Sequence, residues 1–120
     1  PYTTLFRSLG ATVLQAIEIM TRTPGRPGAT SVVDPAGKLV GMFTDGDLRR
    51  LIERGLANPR ERLIDDAMTK NPRRIGPDTF AFEALALLHQ FEIDQLPVVD
   101  AEDRLLGLLD VQDLLTLKIG

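Results

Sequence analysis

Hydrophobic positions recur along this chain in the same order twice. Val13, Leu14, Ile17 and Met20 fall at helical spacing within Ala11–Thr21, which predicts an amphipathic helix. Pro24-Gly25-Arg26-Pro27-Gly28 ends it. Thr30–Asp34 is a short β-rich run, Pro35-Ala36-Gly37-Lys38 a hairpin-type turn, and Lys38–Phe43 its partner strand. Asp47–Arg54 follows as a short helix with Leu48, Leu51 and Ile52 on one side. Gly55–Glu61, with Asn58-Pro59, reads as a linker, and Leu63–Met68 as a helical turn.

The pattern then restarts. Arg73–Ile75 is a short strand. Asp78 or Thr79 is expected to cap a helix in which Phe80, Ala84, Leu87, Leu88 and Phe91 share a face. Gln95–Asp100 is a strand, Ala101-Glu102-Asp103 a turn, Arg104–Leu109 a strand and Asp110–Leu117 the closing helix. A shift of 66 positions places Val32-Val33-Asp34 on Val98-Val99-Asp100, Leu39 on Leu105, Gly41 on Gly107, Asp47 on Asp113 and Leu48 on Leu114. A shift of 68 places Ala16-Ile17 on Ala84-Leu85; the difference falls in the Pro/Gly-rich loop. Each unit is helix, strand, strand, helix, with a leading strand visible only in the second. A unit of about 60 residues buries too little surface to stand comfortably alone, so two should pack their sheets together.

Composition narrows the function without naming it. The 120 residues are 43% hydrophobic and 26% charged, an ordinary globular balance. No apolar run approaches the roughly 20 residues of a membrane span. A net charge of −3 disfavours an extended polyanion such as nucleic acid. Absence of cysteine excludes disulfides and thiolate chemistry and fits a reducing cytoplasm; with a single histidine it also argues against a zinc site. His89 has no second ligand-type neighbour, and the adjacent Asp65-Asp66 point in different directions on a helix. No nucleophile–base set stands out, so an enzymatic reading ranks last.

Candidate chemistry concentrates in Gly41-Met42-Phe43-Thr44-Asp45-Gly46-Asp47-Leu48-Arg49-Arg50. A strand ending at a helix N-terminus points backbone N–H groups outward, which favours an anion. Asp45 and Asp47 offer carboxylates that can accept hydrogen bonds from neighbouring hydroxyls such as a ribose diol. Thr44 and Asp47 are three residues apart, so both can reach one ligand. The same spacing also describes a capping box, although Glu or Gln is its usual acidic partner. Asp110 and Asp113 can cap the second helix in the same way. Arg49 and Arg50 fit a solvated face; Arg73 and Arg74, beside the second leading strand, are the better anion candidates.

The doubled Val-Val-Asp, turn, Leu-Val-Gly-x-x-Thr-x-x-Asp-Leu pattern resembles the CBS domain, over about residues 9–118. More narrowly, residues 41–50, Asp66-Ala67-Met68-Thr69-Lys70-Asn71-Pro72 and Leu96-Pro97-Val98-Val99-Asp100 are similar to the CBS region of D-arabinose 5-phosphate isomerases of the KpsF/GutQ type. The resemblance implies an α/β CBS-domain pair: two β-α-β-β-α units with pseudo-twofold symmetry and packed sheets. It implies unit 1 over 9–56 with its leading strand missing, a linker over 57–68 and unit 2 over 69–120. Residues 1–8 are similar to an in-frame translation of a sequencing-adapter oligonucleotide and are set aside, with Tyr2–Phe6 able to occupy the empty edge by accident; the native chain is then expected to be a C-terminal fragment.

In such isomerases the catalytic residues lie in a separate sugar-isomerase domain, so this chain is not expected to isomerise anything. The resemblance implies a regulatory module for lipopolysaccharide (Kdo) biosynthesis that senses a nucleotide or nucleotide-sugar, CMP-Kdo or an adenine nucleotide, with Thr44 near phosphate and Asp47 near ribose. No cofactor is required. The implied partners are the module's own isomerase domain and a second copy of the chain. Asp113 fits the motif in the second unit, but Asp110 stands at the hydroxyl position and would repel phosphate. Ligand-binding candidates are therefore Thr44, Asp45, Asp47, Asp113 and Arg74. The competing readings are a dimerisation module that binds nothing and a nucleotide-sensing CBS pair of another host. An exposed Phe82 would mark the pairing surface.

Overall fold

The structure, a computed structural model, describes residues 6–25 and 27–119. The expectations for Pro1–Leu5 and Arg26 lie outside the described residues. The first half contains β1 (Phe6–Ser8), α1 (Val13–Arg22), β2 (Ala29–Val33), β3 (Leu39–Thr44) and α2 (Asp45–Glu53). A 3-10 turn at Pro59–Glu61, α3 (Ile64–Ala67) and β4 (Thr69–Lys70) follow. The second half contains α4 (Ala81–Gln90), β5 (Gln95–Val99), β6 (Leu105–Asp110) and α5 (Val111–Ile119). The strands form a four-stranded sheet in the order β1-β2-β3-β4 and a two-stranded sheet β5-β6. Among the described residues, no helix is long and apolar enough to cross a membrane.

The repeat is visible in the hydrogen bonds. Asp34 Oδ1 accepts from the Ala36 and Lys38 amides, both at 2.9 Å, and Asp100 Oδ1 accepts from the Glu102 and Arg104 amides at the same distance. Each aspartate thereby closes its own hairpin as an Asx turn. The β2–β3 register slips at Val32/Val33 and the β5–β6 register at Val98/Val99, so the same bulge occurs twice. The two hairpin tips meet reciprocally: Leu39 N–H donates to Asp103 O at 3.1 Å and Leu105 N–H to Gly37 O at 3.0 Å. That exchange marks the approximate twofold.

Each unit has its own core. In the first, Val13, Ala16 and Met20 of α1 pack on Val32, Phe43, Leu51 and Ile64; in the second, Ala84 and Leu88 of α4 pack on Ile75, Leu96, Val98, Leu109 and Leu114. Ala29, Met42 and Leu108 form a small buried cluster where the sheets meet. Met42 and Leu108 are repeat equivalents, so the interface is built from one position used twice.

The structure differs from the sequence reading in four local features. A leading strand is present in the first unit: Phe6–Ser8 runs parallel to Ser31–Val33. Phe6 and Ser8 are exposed, so the strand is held mainly by backbone pairing, with the Arg7 Nε donating to Gln15 O of α1 at 2.9 Å. In the second unit the expected Arg73–Ile75 strand reduces to one parallel bridge, Ile75 to Val98. Thr69–Lys70, read as the start of the second unit, pairs instead with Gly41 and Met42 of the first unit's sheet. Finally, α4 is capped by neither Asp78 nor Thr79; Phe80 is the cap residue, and its N–H points at Glu83 Oε1, 3.4 Å away. Phe80 therefore lies outside the apolar face and is 65% exposed.

Candidate functional site

The β3–α2 corner is a complete capping box. The Asp47 amide donates to Thr44 Oγ1 at 3.1 Å, and the Thr44 amide donates back to Asp47 Oδ2 at 3.0 Å. Extended φ and ψ at Thr44 (−123° and 168°) turn the strand into the helix. The Thr44 hydroxyl also donates to Asp47 Oδ2, at 3.1 Å. Asp47 Oδ1 accepts from Arg50 Nη2 at 2.6 Å and from Thr69 Oγ1 at 3.0 Å. Asp47 is only 5% exposed. Its carboxylate thus holds four donors, about as many as its lone pairs can take.

A cleft of about 550 Å³ opens beside this corner, between the two units. One wall is Thr44, Asp45, Gly46, Arg49 and Arg50; the facing wall is Glu92, Ile93, Asp94 and Gln95; Thr69, Pro72 and Arg73 close it. The volume lies within the range of small-molecule sites. Three guanidinium groups and three carboxylates face this space, so it suits a ligand with separate anionic and hydroxyl-bearing ends. Asp45 is exposed here, and its amide donates to Gly28 O at 3.0 Å. Gly28 has φ +74°, and a Cβ at that position would lie 2.7 Å from Asp45 Oδ2. Glycine at 28 is what allows the Asp45 carboxylate to lie against the β2 approach.

The sequence candidates separate accordingly. Thr44 and Asp45 line the cleft, whereas Asp47 lies behind Thr44, Arg50 and Thr69 and does not line it. Asp113 lies at the other corner, where its Oδ2 accepts from the Asp110 amide at 2.9 Å. Arg74 does not line the cleft either. Its guanidinium donates to Asp103 Oδ2 at 2.6 Å, Asn71 Oδ1 at 2.7 Å and Leu39 O at 3.5 Å, tying the hairpin tips together. Arg73, on the other side of the chain, faces the cleft and lays its guanidinium 3.5 Å from the centre of the Phe91 ring.

Among the cleft residues that the sequence does not single out, Thr69 and Gln95 make long-range side-chain hydrogen bonds. Thr69 comes from β4 and reaches Asp47 across 22 positions. Gln95 donates from Nε2 to Asp110 Oδ1 at 3.1 Å and to Pro27 O, joining the units. The signal for Gln95 was present: its repeat equivalent is Ala29, so a polar group replaces an apolar one at the start of the same strand.

Comparison with known proteins adds to this geometry. A family model described as CBS domain matches residues 8–54 and again residues 64–120. The chain is 43% identical over 107 residues to arabinose 5-phosphate isomerase KdsD of Pseudomonas aeruginosa; the match covers 89% of this chain and 32% of that protein. The chain thus spans about a third of that relative's length. Among solved structures, a CBS-domain protein of Burkholderia ambifaria superposes with a TM-score of 0.83 at 25% identity, covering 98% of this chain and 84% of that one. The protein CBSX2, solved in complex with AMP, superposes with a TM-score of 0.81 at 24% identity, covering 96% of this chain and 87% of that one.

Proposed function

The chain belongs to the CBS-domain family, as a tandem pair of these domains, and on that premise we propose that it senses a nucleotide or nucleotide-sugar in the cleft at the start of α2. The observation that carries this reading is the cleft itself: Arg49, Arg50 and Arg73 converge on a space that also presents the Asp45 carboxylate and the first turn of α2. A phosphate fits beside Thr44 and Gly46, where the helix N-terminus and the arginines favour negative charge. A ribose diol fits the Asp47 carboxylate just behind the cleft wall, with the exposed Asp45 carboxylate in the cleft itself. Asp113 and Arg74 serve the frame: the first caps α5 and the second holds the hairpin tips.

The host we propose is an arabinose 5-phosphate isomerase, in which this pair biases the orientation of a separate isomerase domain. CMP-Kdo, the activated end product of that route, suits the cleft chemically, with one phosphate, one ribose and an acidic sugar. AMP is the natural second probe, because a fold neighbour was solved with it. Calorimetry of this chain against CMP-Kdo, AMP and ATP tests the reading; absence of heat from all three at millimolar ligand overturns it.

A pairing role is favoured by a separate observation. Phe82 is 72% exposed and stacks on Phe80, ring centres 5.8 Å apart. Solvent-facing stacked aromatics on α4 suit a contact with a second copy. Sedimentation separates the readings: a tight dimer indifferent to nucleotide and lost in Phe82→Glu favours scaffolding alone, whereas a ligand-dependent change favours sensing.

A further inference from the structure

We propose that Thr69 is the gate of the cleft: its hydroxyl occupies the Asp47 oxygen that a ligand diol needs, so capture of the ligand by Asp47 releases β4. The inference rests on the nucleotide reading above and concerns how that site is regulated.

The geometry supports it in three steps. Thr44, Arg50 and Thr69 all line the cleft, and all three bond to Asp47, which does not line it. From this cleft, a ligand hydroxyl reaches that carboxylate only by displacing one of them. Thr44 and Arg50 belong to the same corner as Asp47, three residues away on either side. Thr69 alone comes from a different element, and its contribution is one neutral hydroxyl. Replacing it by a ligand hydroxyl exchanges like for like, so the carboxylate stays satisfied throughout.

The element Thr69 belongs to is weakly held. β4 is two residues long and exposed, and its pairing rests on Gly41–Lys70 and Met42–Thr69, with the Asn71 amide donating to Val40 O at 3.1 Å just beyond. Segments with few buried contacts open at low free-energy cost. Asn71 then accepts from Arg74, and Arg74 donates to Asp103 on the second unit's hairpin. Releasing Thr69 therefore loosens the strand through which the first unit's corner connects to the second unit's turn. That connection gives cleft occupancy a physical route to the relative placement of the two units.

The test compares wild type, Thr69→Val and Thr69→Ser in the full 120-residue chain, with AMP as the probe. Valine keeps the β-branched shape and strand preference and removes only the donor. In the absence of nucleotide, the Asn71 amide should exchange several-fold faster in Thr69→Val. Calorimetry should show AMP binding Thr69→Val tighter by roughly three- to tenfold, because a competing hydrogen bond is gone. Addition of AMP should speed Asn71 exchange in wild type and leave Thr69→Val unchanged, and Thr69→Ser should follow wild type in both measurements. Unaltered or weaker AMP affinity in Thr69→Val, or Asn71 exchange indifferent to AMP in wild type, overturns the gate while leaving the nucleotide reading intact. If wild type and both variants take up no AMP, CMP-Kdo or ATP, the nucleotide reading itself fails and the gate with it.

Discussion

The two strand–helix corners share a skeleton and differ in chemistry. In both, the amide of the last strand residue donates to an aspartate three positions on: Thr44 to Asp47 at 3.0 Å, Asp110 to Asp113 at 2.9 Å. In the first corner a hydroxyl completes the box, and the spare carboxylate oxygen collects Arg50 and Thr69. In the second, Asp110 stands in place of the hydroxyl. Its Oδ2 accepts from the Gln112 amide at 3.0 Å and its Oδ1 from Gln95, so it is spent on the local turn and on holding the Gln95 amide that reaches Pro27 O of the other unit. The residues that follow diverge too. Asp45 lines the cleft, whereas its equivalent Val111 packs on the second core. Duplication thus preserved the backbone device and left one copy with ligand-type groups and the other with structural ones.

Breaking the shared device in each copy should therefore cost different amounts. Asp47→Ala removes a buried carboxylate and all four hydrogen bonds it accepts, from the Thr44 amide and hydroxyl, the Thr69 hydroxyl and the Arg50 guanidinium. We expect a loss of about 2–4 kcal/mol in unfolding free energy. Asp113→Ala removes one cap interaction from a half-buried side chain, and about 1 kcal/mol is expected. Urea unfolding midpoints at matched slope measure both. Equal losses would mean that the corners are energetically alike and that the contacts of Asp47 contribute nothing beyond capping.

What the sequence could convey follows the same division. The repeat, both hairpins, α1 and α2 were legible because each rests on local signals: apolar spacing, Asx turns, a capping threonine. The candidate site was legible as a corner and not as a network. Thr69 meets Asp47 only because β4 folds back onto β3, and no local rule signals that pairing. Arg73 and Arg74 exchanged roles for a simple reason. Successive residues of an extended chain point to opposite sides, and nothing in the dipeptide says which side is the cleft. The apolar pattern of α4 extends through Phe80, which places it on the buried face by sequence, while Phe82 fits core or interface equally. The chain starts that helix one residue after Phe80, which leaves both rings outside the buried face.

The hairpin tips offer a second, smaller contrast. Gly37 and Asp103 occupy equivalent turn positions, with φ +84° and +66°. A Cβ on Gly37 would meet nothing within 4 Å, so Gly37→Ala tests backbone strain alone, and about 1 kcal/mol of destabilisation is expected by thermal unfolding. Asp103→Gly relieves that strain but cuts the ion pair to Arg74, whose partners are 20% and 48% exposed. The two effects oppose each other, and the net change should stay within about 0.5 kcal/mol. A large loss in Asp103→Gly would show that the Arg74 tie contributes much more to docking the units than a half-exposed pair ordinarily does.

The smallest effect expected belongs to the two turn aspartates. Asp34 and Asp100 each accept two backbone amides, and at Asp100 the Arg104 side chain adds a third donor, Nε at 3.2 Å from Oδ2. The Arg104 amide, more than any other group, holds the Asp100 carboxyl below its ordinary value, with the Glu102 amide and the Arg104 charge acting the same way. Protons therefore bind Asp100 more weakly in the folded chain than in the unfolded one. Its contribution to stability is fully present above the ordinary aspartate value and disappears as pH falls through the lower folded value. Asp100→Asn keeps an acceptor for the turn and removes the titration. Its stability should decline less steeply than that of wild type as pH falls through and below the ordinary aspartate value. Because Asp100 sits at the surface, the difference in slope should be slight, and a carboxyl titration followed by NMR is the sharper measurement. An Asp100 carboxyl that titrates at the ordinary aspartate value would mean that the turn amides bind its neutral and charged forms equally, and the second hairpin would then be closed by backbone geometry alone.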